Sequence, residues 1–262
     1  MSQQPWQNPR SILITGASSG IGAALARAYA GPGVTLFLGG RDRERLEAVA
    51  QTCRDCGAQA HSRTLDVTDA EAMRAWLHEA DGQAPLDLVV ANAGTSAGSG
   101  GTGESETQAR RIFAVNVDGA MNTVLPILPA MTARGRGQIA LVASLAGFRG
   151  FPGAPAYCAS KATLRVWGEG LRGLLAPNGI GVSVVCPGFV RTPMSDGNPY
   201  PMPMLMEADK AAAIIVKGLA RNRGRIAFPW PLTWLVYAIT ALPVRLTDLA
   251  MGRLPHKPAD SD

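Results

Sequence analysis

A tyrosine and a lysine four residues apart form the first pair in this sequence whose types and spacing could do chemistry. Tyr157 and Lys161 lie in the segment YCASK, near the start of a predicted helix, where residues four apart share one face. Free tyrosine titrates at a pH of about 10, and a neighbouring cation lowers the pKa of a phenol because it favours the phenolate. The pair therefore predicts a group that exchanges a proton with a substrate oxygen.

Ser144 is the next candidate, thirteen residues before Tyr157, at the end of the apolar strand-like run 138–144 (QIALVAS). In an open parallel sheet, ligands bind in the crevice beyond the carboxyl ends of the strands. The hydroxyl of Ser144 is therefore expected at the edge of the sheet where a substrate would bind.

The elements that must position these residues alternate along the chain between apolar strand-like runs and helical patterns. Strands are predicted at 11–15, 34–38, a run ending at 66, 86–91, 138–144 and 181–186. Helices are predicted at 20–30, 42–53, 69–80, 107–131 and 156–175, with a bend near Pro126. This alternation predicts the α/β class and a single doubly wound Rossmann-type domain, whose mainly parallel sheet has helices on both faces.

A glycine-rich turn, TGASSGIG at 15–22, separates the first strand from the first helix. Glycines allow a tight turn and a close approach of the backbone to a pyrophosphate, which the N-terminus of the helix attracts. The spacing is G-x-x-x-G-x-G, which differs from the G-x-G-x-x-G of the standard dinucleotide motif. The turn predicts a dinucleotide site formed by Gly16, Ser18, Ser19, Gly20, Ile21 and Gly22.

Arg41 indicates which nicotinamide cofactor is preferred. An NAD site normally places an acidic residue near the end of the second strand to accept from the ribose 2′-hydroxyl. Here that strand is followed by Gly39, Gly40 and Arg41, and a guanidinium suits a 2′-phosphate. The sequence therefore predicts NADP(H) rather than NAD(H). Because Asp42 follows directly, the alternative is that Arg41 begins the solvated face of a helix.

Several motifs, taken in order, resemble those of the short-chain dehydrogenase/reductase family over residues 10 to 225. They are TGASSGIG, Asp66-Val67, Asn92-Ala93-Gly94, Asn116, Ser144, Tyr157 with Lys161, and Pro187-Gly188. The resemblance implies an oxidoreductase that interconverts a carbonyl and an alcohol by hydride transfer. It also implies a homodimer or homotetramer, in which the helix at 107–131 and the Tyr157 helix pair across a two-fold axis.

The resemblance also implies a role for each motif. Tyr157 would be the general acid/base, Ser144 would hydrogen-bond the substrate oxygen, and Lys161 would hold the nicotinamide ribose. Asn116 would position a water that relays protons to Lys161, with a helix-kink residue as the alternative. The other implied cofactor contacts are Asp66 and Val67 to the adenine, Asn92, Ala93 and Gly94 to the ribose, and Pro187, Gly188, Val190 and Thr192 over the nicotinamide. A helix cap is the alternative for Thr192.

The domain expectation divides the chain into a catalytic domain at 1–225 and a final strand with an apolar extension at 226–262, packed on the same domain. Residues 190–206, too irregular for a regular element, lie where the family has its substrate lid. Between 192 and 207 the chain has four prolines and four methionines. Since methionine is apolar and adaptable, a small apolar carbonyl or alcohol substrate is expected, and a loop of incidental composition is the alternative.

The segment at 226–244 has no charged residue, and 226–228 resembles the seventh strand of the family. Three interpretations of the rest stay open. It forms a wall of the substrate pocket or an oligomer interface, a peripheral membrane anchor through 230–253, or a true membrane span. Prolines at 229, 231 and 243 argue against the span because they leave a short uninterrupted run.

Charge and cysteine content narrow the class further. The net charge is +5, and fifteen of the 25 basic residues but seven of the 20 acidic residues fall within 131–262. No basic run interleaved with aromatic residues predicts nucleic-acid binding. Cys53 and Cys56 have C-x-x-C spacing without a completing pair or histidine cluster, so no metal site is predicted. No secretory signal is visible, so cytoplasmic residence is expected, and association of the protein with a membrane stays open. A nicotinamide-sensing module or a peripheral membrane protein with little turnover are the alternative functions.

Overall fold

Seven parallel strands form one sheet, in the order β3-β2-β1-β4-β5-β6-β7, in the computed structural model of this chain. The strands are β1 (Ser11–Thr15), β2 (Thr35–Gly40), β3 (Gln59–Thr64), β4 (Leu88–Ala91), β5 (Gly137–Val142), β6 (Ile180–Pro187) and β7 (Arg225–Phe228). The structure describes residues 6–98, 103–196 and 201–251. The predicted α/β class and doubly wound seven-stranded sheet are confirmed.

Helices cover both faces of the sheet. They are α1 (Gly20–Tyr29), α2 (Arg43–Asp55), α3 (Ala70–Gln83), α4 (Glu106–Phe113), α5 (Gly119–Val124), α6 (Leu128–Arg134), α7 (Pro155–Leu175), α8 (Pro193–Asp196), α9 (Ala208–Leu219), α10 (Trp230–Ala241) and α11 (Val244–Met251). Apolar residues of α1, α2 and α9 pack on one face of the sheet, and those of α3, the helical segment 106–134 and α7 pack on the other.

Most strands are largely apolar because both of their faces are covered, whereas the edge strand β3 (QAHSRT) is mostly polar and exposed. In β1, Ile12 and Ile14 belong to the core under α1, α2 and α9, whereas Leu13 between them belongs to the opposite core. All three side chains are fully buried. Alternation therefore places successive side chains in two separate cores. Because all strands pair in parallel, their carboxyl ends lie at the same edge of the sheet.

The long helix predicted at 107–131 runs from Glu106 to Arg134 and is not uniform. A π-helical turn at Ala114–Asp118 separates α4 from α5, and a 3-10 turn at Leu125–Ile127 separates α5 from α6. The second irregularity confirms the bend near Pro126, which lacks the backbone N–H of a regular helix. Among the described residues, this helix is long and apolar enough to cross a membrane, but Ile127 and Met131 are fully buried in the core.

The predicted boundaries differ from the observed ones where tertiary pairing decides them. Strand β2 continues to Gly40 because Gly39 and Gly40 pair with Arg63 and Thr64 of β3. Strand β5 ends at Val142, so Ser144 lies just beyond the strand rather than within it. The lid predicted at 190–206 contains a short helix, α8, whereas an irregular segment was expected. Its residues 197–200, and residues 252–262 of the predicted extension, lie outside the described residues.

The apolar segment at 226–244 contributes β7 and then α10. The predicted seventh strand is present, paired with β6 in parallel. Helix α10 has 12 residues, which correspond to about 18 Å, whereas a membrane span requires about 30 Å. The interpretation of this segment as a true span is therefore wrong. The boundary between domains at 225 and 226 stays a prediction, since β7 belongs to the same sheet as the preceding strands.

Candidate active site

The carboxyl ends of six strands bring the predicted site residues to one edge of the sheet. Parallel strands end at a common edge, so residues far apart in sequence meet there. In strand order these residues are Gly16–Gly22 after β1, Arg41 after β2, Asp66 and Val67 after β3, Asn92–Gly94 after β4, Ser144 after β5, and Pro187–Thr192 at the end of β6.

The glycine-rich turn is held from the neighbouring strand by Asn92. Its side-chain Nδ2 donates to the carbonyl oxygens of Thr15, at 2.9 Å, and Gly16, at 3.1 Å. Gly16 has a φ of 65°, a conformation that glycine adopts without strain. Gly20, where α1 begins, contacts the side chain of Thr192, since a Cβ built on Gly20 would lie 2.8 Å from the Thr192 methyl carbon. The turn therefore meets the segment after β6 across the edge.

Arg41 and Asp66 follow neighbouring strands, β2 and β3. Burial opposes ionisation of Asp66, but hydrogen bonds from the backbone N–H and the hydroxyl of Thr68, with the charge of Arg41, outweigh it and lower the pKa of the carboxyl. Both bonds from Thr68 reach Oδ1 of Asp66. Arg41 is exposed, so its guanidinium can bind an anion at this corner.

Lys161 is buried below Tyr157, which is half-buried on the first turn of α7. The Lys161 ammonium donates to the carbonyl oxygen of Val142 at 3.0 Å and lies 5.8 Å from the centre of the Tyr157 ring. Burial lowers the pKa of Lys161 to about 8, although the nearby thiol of Cys186 acts in the opposite direction. The structure thus brings the predicted pair, Tyr157 and Lys161, together, and the Lys161 ammonium lies at the end of β5.

Asn116 lies in the π-helical turn and is fully buried. Its Oδ1 accepts from the backbone N–H of Thr95 at 2.7 Å, and its Nδ2 donates to the Thr95 carbonyl at 3.0 Å and to the Ser160 hydroxyl at 2.9 Å. A Cβ built on Gly94 would lie 3.2 Å from both Asn116 Oδ1 and Lys161 Nζ. A side chain at this position would press on both groups, so Asn116 and Lys161 approach each other across Gly94.

Ser144 lies at the start of a 3-10 turn, Leu145–Gly147. Its hydroxyl accepts from the backbone N–H of Ala146 at 3.1 Å and donates to the carbonyl oxygen of Pro187 at 3.4 Å. The side chain is largely buried. These contacts join the ends of β5 and β6 beside the Tyr157 helix.

The segment after β6 is covered by helix α10 and by the proline that precedes it. A Cβ built on Gly188 would lie 2.9 Å from the Leu232 side chain, 3.1 Å from Pro229 and 3.4 Å from Leu145. Further along, Val190 forms a bridge with Met206, which joins the two ends of the predicted lid. Helix α10 therefore reaches the edge of the sheet where Ser144 and Tyr157 lie.

Thr192 immediately precedes α8. Its carbonyl oxygen accepts from the backbone N–H groups of Ser195 and Asp196, and its own N–H donates to the Ser195 hydroxyl. The position is that of a helix cap, which agrees with the alternative for this residue, while its methyl group contacts Gly20. The two descriptions are compatible because they use different atoms of Thr192.

The site described above can be compared with known proteins. A family model described as short chain dehydrogenase matches residues 10–200. The chain belongs to the short-chain dehydrogenase/reductase family. It is 40% identical over 250 residues to a protein of Myxococcus xanthus named "Uncharacterized oxidoreductase", covering 94% of this chain and 97% of that one.

Other members of the family are similar over most of the fold. The ketoacyl reductase HetN of Nostoc is 34% identical over 182 residues, which are 69% of this chain and 63% of that one. A short-chain dehydrogenase of Sphingobium yanoikuyae in complex with NADPH has a TM-score of 0.78 and 28% identity, covering 95% and 98% of the two chains. A family member from Burkholderia phymatum in complex with NAD has a TM-score of 0.81 and 25% identity, covering 98% and 99%.

Three residues near the edge of the sheet in this short-chain dehydrogenase/reductase were not predicted as part of the site. They are Thr95, which accepts and donates the backbone hydrogen bonds to Asn116, Glu104, whose carboxylate contacts the start of α7, and Leu232, which lies on Gly188. Only Leu232 had a signal, its place in an uncharged segment.

Proposed function

We propose that this chain is an NADP(H)-dependent oxidoreductase that interconverts a carbonyl and an alcohol, working mainly as a reductase of an apolar ketone or aldehyde. The observation that carries the proposal is the buried ammonium of Lys161 beneath the Tyr157 ring at the edge of the sheet. A buried cation next to a phenol has a chemical use, since it stabilises the phenolate that remains after proton transfer.

In the proposed reduction, the Tyr157 hydroxyl donates a proton to the substrate oxygen while the Ser144 hydroxyl hydrogen-bonds the same oxygen. The hydride for the carbonyl carbon would come from a reduced nicotinamide held by the residues at the strand ends. Lys161 keeps its charge below its pKa of about 8 and so stabilises the phenolate of Tyr157. Asn116 lies across Gly94 from Lys161, where it would hold a water that returns a proton to this pair. Oxidation of an alcohol uses the same groups in reverse.

The cofactor contacts in this proposal follow the strand ends. The residues present fit a dinucleotide, because the first turn of α1 presents N–H groups beside Gly16–Gly22 and because Arg41 is an exposed cation beyond β2. We assign Arg41 to the 2′-phosphate and Asp66 and Val67 to the adenine, with Asn92, Ala93 and Gly94 along the ribose. Pro187, Gly188, Val190 and Thr192 would cover the nicotinamide. One similar structure contains NADPH and another contains NAD, so the family alone does not set the cofactor. In this proposal Arg41 sets the preference for NADP(H).

The apolar substrate is supported by the side chains near Ser144 and Gly188. Leu145, Pro229 and Leu232 lie against Gly188 and place hydrocarbon at the edge of the sheet next to Ser144. A relative of the chain is named as a ketoacyl reductase, which reduces a ketone. A small carbonyl compound with an apolar chain is therefore the substrate class that we propose.

Calorimetric titration with NADPH and NADH, followed by turnover on a panel of apolar and polar ketones, tests the proposal. NADPH should bind more tightly than NADH, and at least one apolar ketone should be reduced. Tyr157→Phe should abolish turnover and keep NADPH binding, whereas Tyr237→Phe, which removes a phenol from α10, should keep both. A protein that binds neither nucleotide, or a Tyr157→Phe variant that turns over at the wild-type rate, would contradict the proposal.

We also propose that α10 contacts an anionic lipid surface, as a peripheral attachment of a cytoplasmic enzyme. Trp230 and Trp234 are 73% and 67% exposed, and α10 has no charged residue. A helix that is apolar all round is normally covered by another surface. The net charge of the protein is +5, and the exposed Arg245 follows α10, so this region complements an anionic membrane. Its inner face, through Leu232, would still be a wall of the substrate pocket.

Sedimentation with vesicles containing phosphatidylglycerol tests this attachment. The wild type should sediment with them and less with phosphatidylcholine vesicles, and Trp234→Ala should weaken sedimentation. Ile214→Ala is the control, because Ile214 is an exposed apolar residue on α9, outside α10 and outside the helices of the proposed dimer. Equal sedimentation of Trp234→Ala and wild type would overturn the attachment. A shift of Trp234→Ala to a smaller particle in light scattering, without vesicle binding by the wild type, would instead identify α10 as an interface between copies.

A homodimer or homotetramer through the long helix and α7 is the remaining proposal. Phe113 on α4 and Val166 and Leu174 on α7 are exposed apolar side chains on the helices that the family resemblance pairs. Burying them against a second copy would remove apolar surface from water. Light scattering of Val166→Glu should show a smaller particle than the wild type, and an unchanged particle would contradict this interface.

A further inference from the structure

Glu104 contacts the first turn of the helix that carries Tyr157. Helix α7 begins after Ala154, which has no side-chain oxygen to accept the first backbone N–H groups, and its first turn has no acidic residue. The Glu104 carboxylate takes this place from another part of the chain, since its Oε2 accepts from the backbone N–H of Ala156 at 2.8 Å. The next residue of the helix is Tyr157.

The residues that follow Glu104 are held by hydrogen bonds at the start of α4, which helps to fix the position of the carboxylate. The Ser105 hydroxyl accepts from the backbone N–H of Gln108 at the start of α4, and the Gln108 side chain donates to the Gly98 carbonyl at 2.9 Å. Ala97, Ile112 and Ala156 form a small buried apolar cluster that joins this segment to α7. The contact between Glu104 and Ala156 is therefore part of a packed interface.

The charge of Glu104 opposes two positive influences on Tyr157. The N-terminus of a helix carries partial positive charge, and Tyr157 lies within the first turn, with the Lys161 ammonium on the same face. Both favour the phenolate. A carboxylate at the same helix end favours the neutral phenol, and Oε1 of Glu104 is buried, which limits screening by water.

Other titratable groups near this site among the described residues include the thiols of Cys158 and Cys186, and Arg165, Glu169 and Arg225, whose charges act on Cys186. Burial raises the pKa of Cys158 to about 11, and Glu104 adds to this effect. Burial likewise raises the pKa of Cys186, on β6 below Lys161, to about 12. Both thiols are therefore neutral near pH 7, so neither adds a charge beside Tyr157.

We propose that Glu104 is a positioning residue for the acid/base step: its carboxylate fixes the first turn of α7 and offsets the positive end of that helix, so that the Tyr157 phenol stays protonated near neutral pH. The proposal rests on the proposed role of Tyr157. It assigns to the loop after β4 an electrostatic effect on the proton donor. In the reductive direction this matters because activity is lost as the pH rises through the pKa of the phenol.

Glu104→Gln separates the charge from the contact, since the amide oxygen can still accept from Ala156. The tyrosinate absorbance of the full chain without nucleotide is titrated for the wild type, Tyr157→Phe and Glu104→Gln. The difference between the wild type and Tyr157→Phe isolates Tyr157. In Glu104→Gln, this titration should move to lower pH by about half a unit to one unit, as expected for losing one partly buried charge nearby. The alkaline limb of kcat/KM for reduction should move equally.

Glu106→Gln is the matched control, because Glu106 is an exposed acidic residue two positions away that pairs with Arg110. It should leave the titration of Tyr157 unchanged. Glu104→Asp keeps the charge and should titrate close to the wild type, which excludes an effect of altered packing. A wild-type titration of Tyr157 in Glu104→Gln overturns the proposal. The absorbance titration needs no turnover, so absence of turnover on every ketone would count against the proposed function and not against this inference.

Discussion

Asn116 and Ser160 are joined by a hydrogen bond of 2.9 Å between the amide and the hydroxyl, which ties the π-helical turn of the long helix to α7. Ser160 in turn donates to the carbonyl of Tyr157 at 2.8 Å. The asparagine is therefore linked through one residue to the backbone of the proposed proton donor. Asn116 lies at an irregular turn of the long helix, as the helix-kink interpretation expected. The hydrogen bond to Ser160 gives a reason why an asparagine occupies this turn.

Asn116→Ala should destabilise the protein and reduce turnover. The variant leaves the Thr95 N–H and C=O groups and the Ser160 hydroxyl without their amide partner in a buried site, which should lower the free energy of unfolding by about 2–4 kcal/mol. Asn122→Ala, which removes one hydrogen bond to the Val67 carbonyl, should cost about 1 kcal/mol. Urea denaturation measures both. Equal stability of the two variants would contradict the account of Asn116.

Lys161→Met should abolish turnover and yet stabilise the protein without nucleotide. Burial lowers the pKa of Lys161 from 10.5 to about 8, so between these values the unfolded chain binds more protons and stability rises with pH. Below pH 8 the buried charge then costs on the order of 3 kcal/mol. Methionine removes this cost at pH 7 and flattens the rise above pH 8.

Urea denaturation at neutral and alkaline pH checks the prediction for Lys161, with Lys217→Met as control. Lys217 is exposed on α9, so its replacement should change neither the stability at neutral pH nor the dependence on pH. A Lys161→Met variant less stable than the wild type at pH 7 would show that the hydrogen bond to Val142 outweighs the cost of burial.

Arg41→Ala should weaken NADPH binding by about 10- to 100-fold and leave NADH binding nearly unchanged. The expected factor is that of one charge-assisted contact to a phosphate. Arg45→Ala is the control, because Arg45 is an exposed arginine near Arg41 that pairs with Asp42. Isothermal titration calorimetry measures the six affinities of the wild type and the two variants for NADPH and NADH. An equal loss for both nucleotides would assign Arg41 to a part of the cofactor that they share.

Arg225→Leu should loosen α10 without affecting NADPH binding. The Arg225 guanidinium pairs with Glu169 of α7, donates to the Tyr237 hydroxyl at 3.3 Å and lies 5.2 Å from the centre of the Phe148 ring. These contacts hold α10 against α7. Hydrogen exchange in α10 should become faster in this variant, whereas Arg223→Leu, two residues earlier, should exchange like the wild type. Unchanged exchange in Arg225→Leu would mean that apolar packing of Val236 alone fixes the helix.

Local patterns were sufficient for the sheet and for the residues that end its strands. The run 11–15 is a buried strand because every one of its side chains is in a core, and the glycine turn after it was predicted from composition and position alone. Tyr157 and Lys161 were predicted as a pair because a helix fixes their relative direction whatever the surrounding fold.

Contacts between distant segments were beyond local patterns. Glu104 and Ala156 are 52 residues apart, and no spacing in the sequence relates them. The π-helical turn at Asn116 likewise depends on Thr95, from another strand end. In α10, apolar residues occur on every side, so periodicity could not tell that Val236 is buried and Trp234 exposed. The end of β5 before Ser144 was misplaced because no residue in the sequence marks it: Ala143 still donates to the Val185 carbonyl, and Ser144 begins the 3-10 turn.

The contact between Leu232 and Gly188 has a consequence for how such proteins diversify. The segment that matches the family model ends at residue 200, whereas Leu232 comes from the chain that follows it. The residues proposed for proton transfer and nucleotide binding thus lie in one stretch of the gene, and a proposed wall of the substrate pocket lies in another. On this proposal, mutations after residue 200 can reshape ligand selectivity while the reaction is inherited intact, so closely related members of the lineage can diverge in what they accept and still share one chemistry.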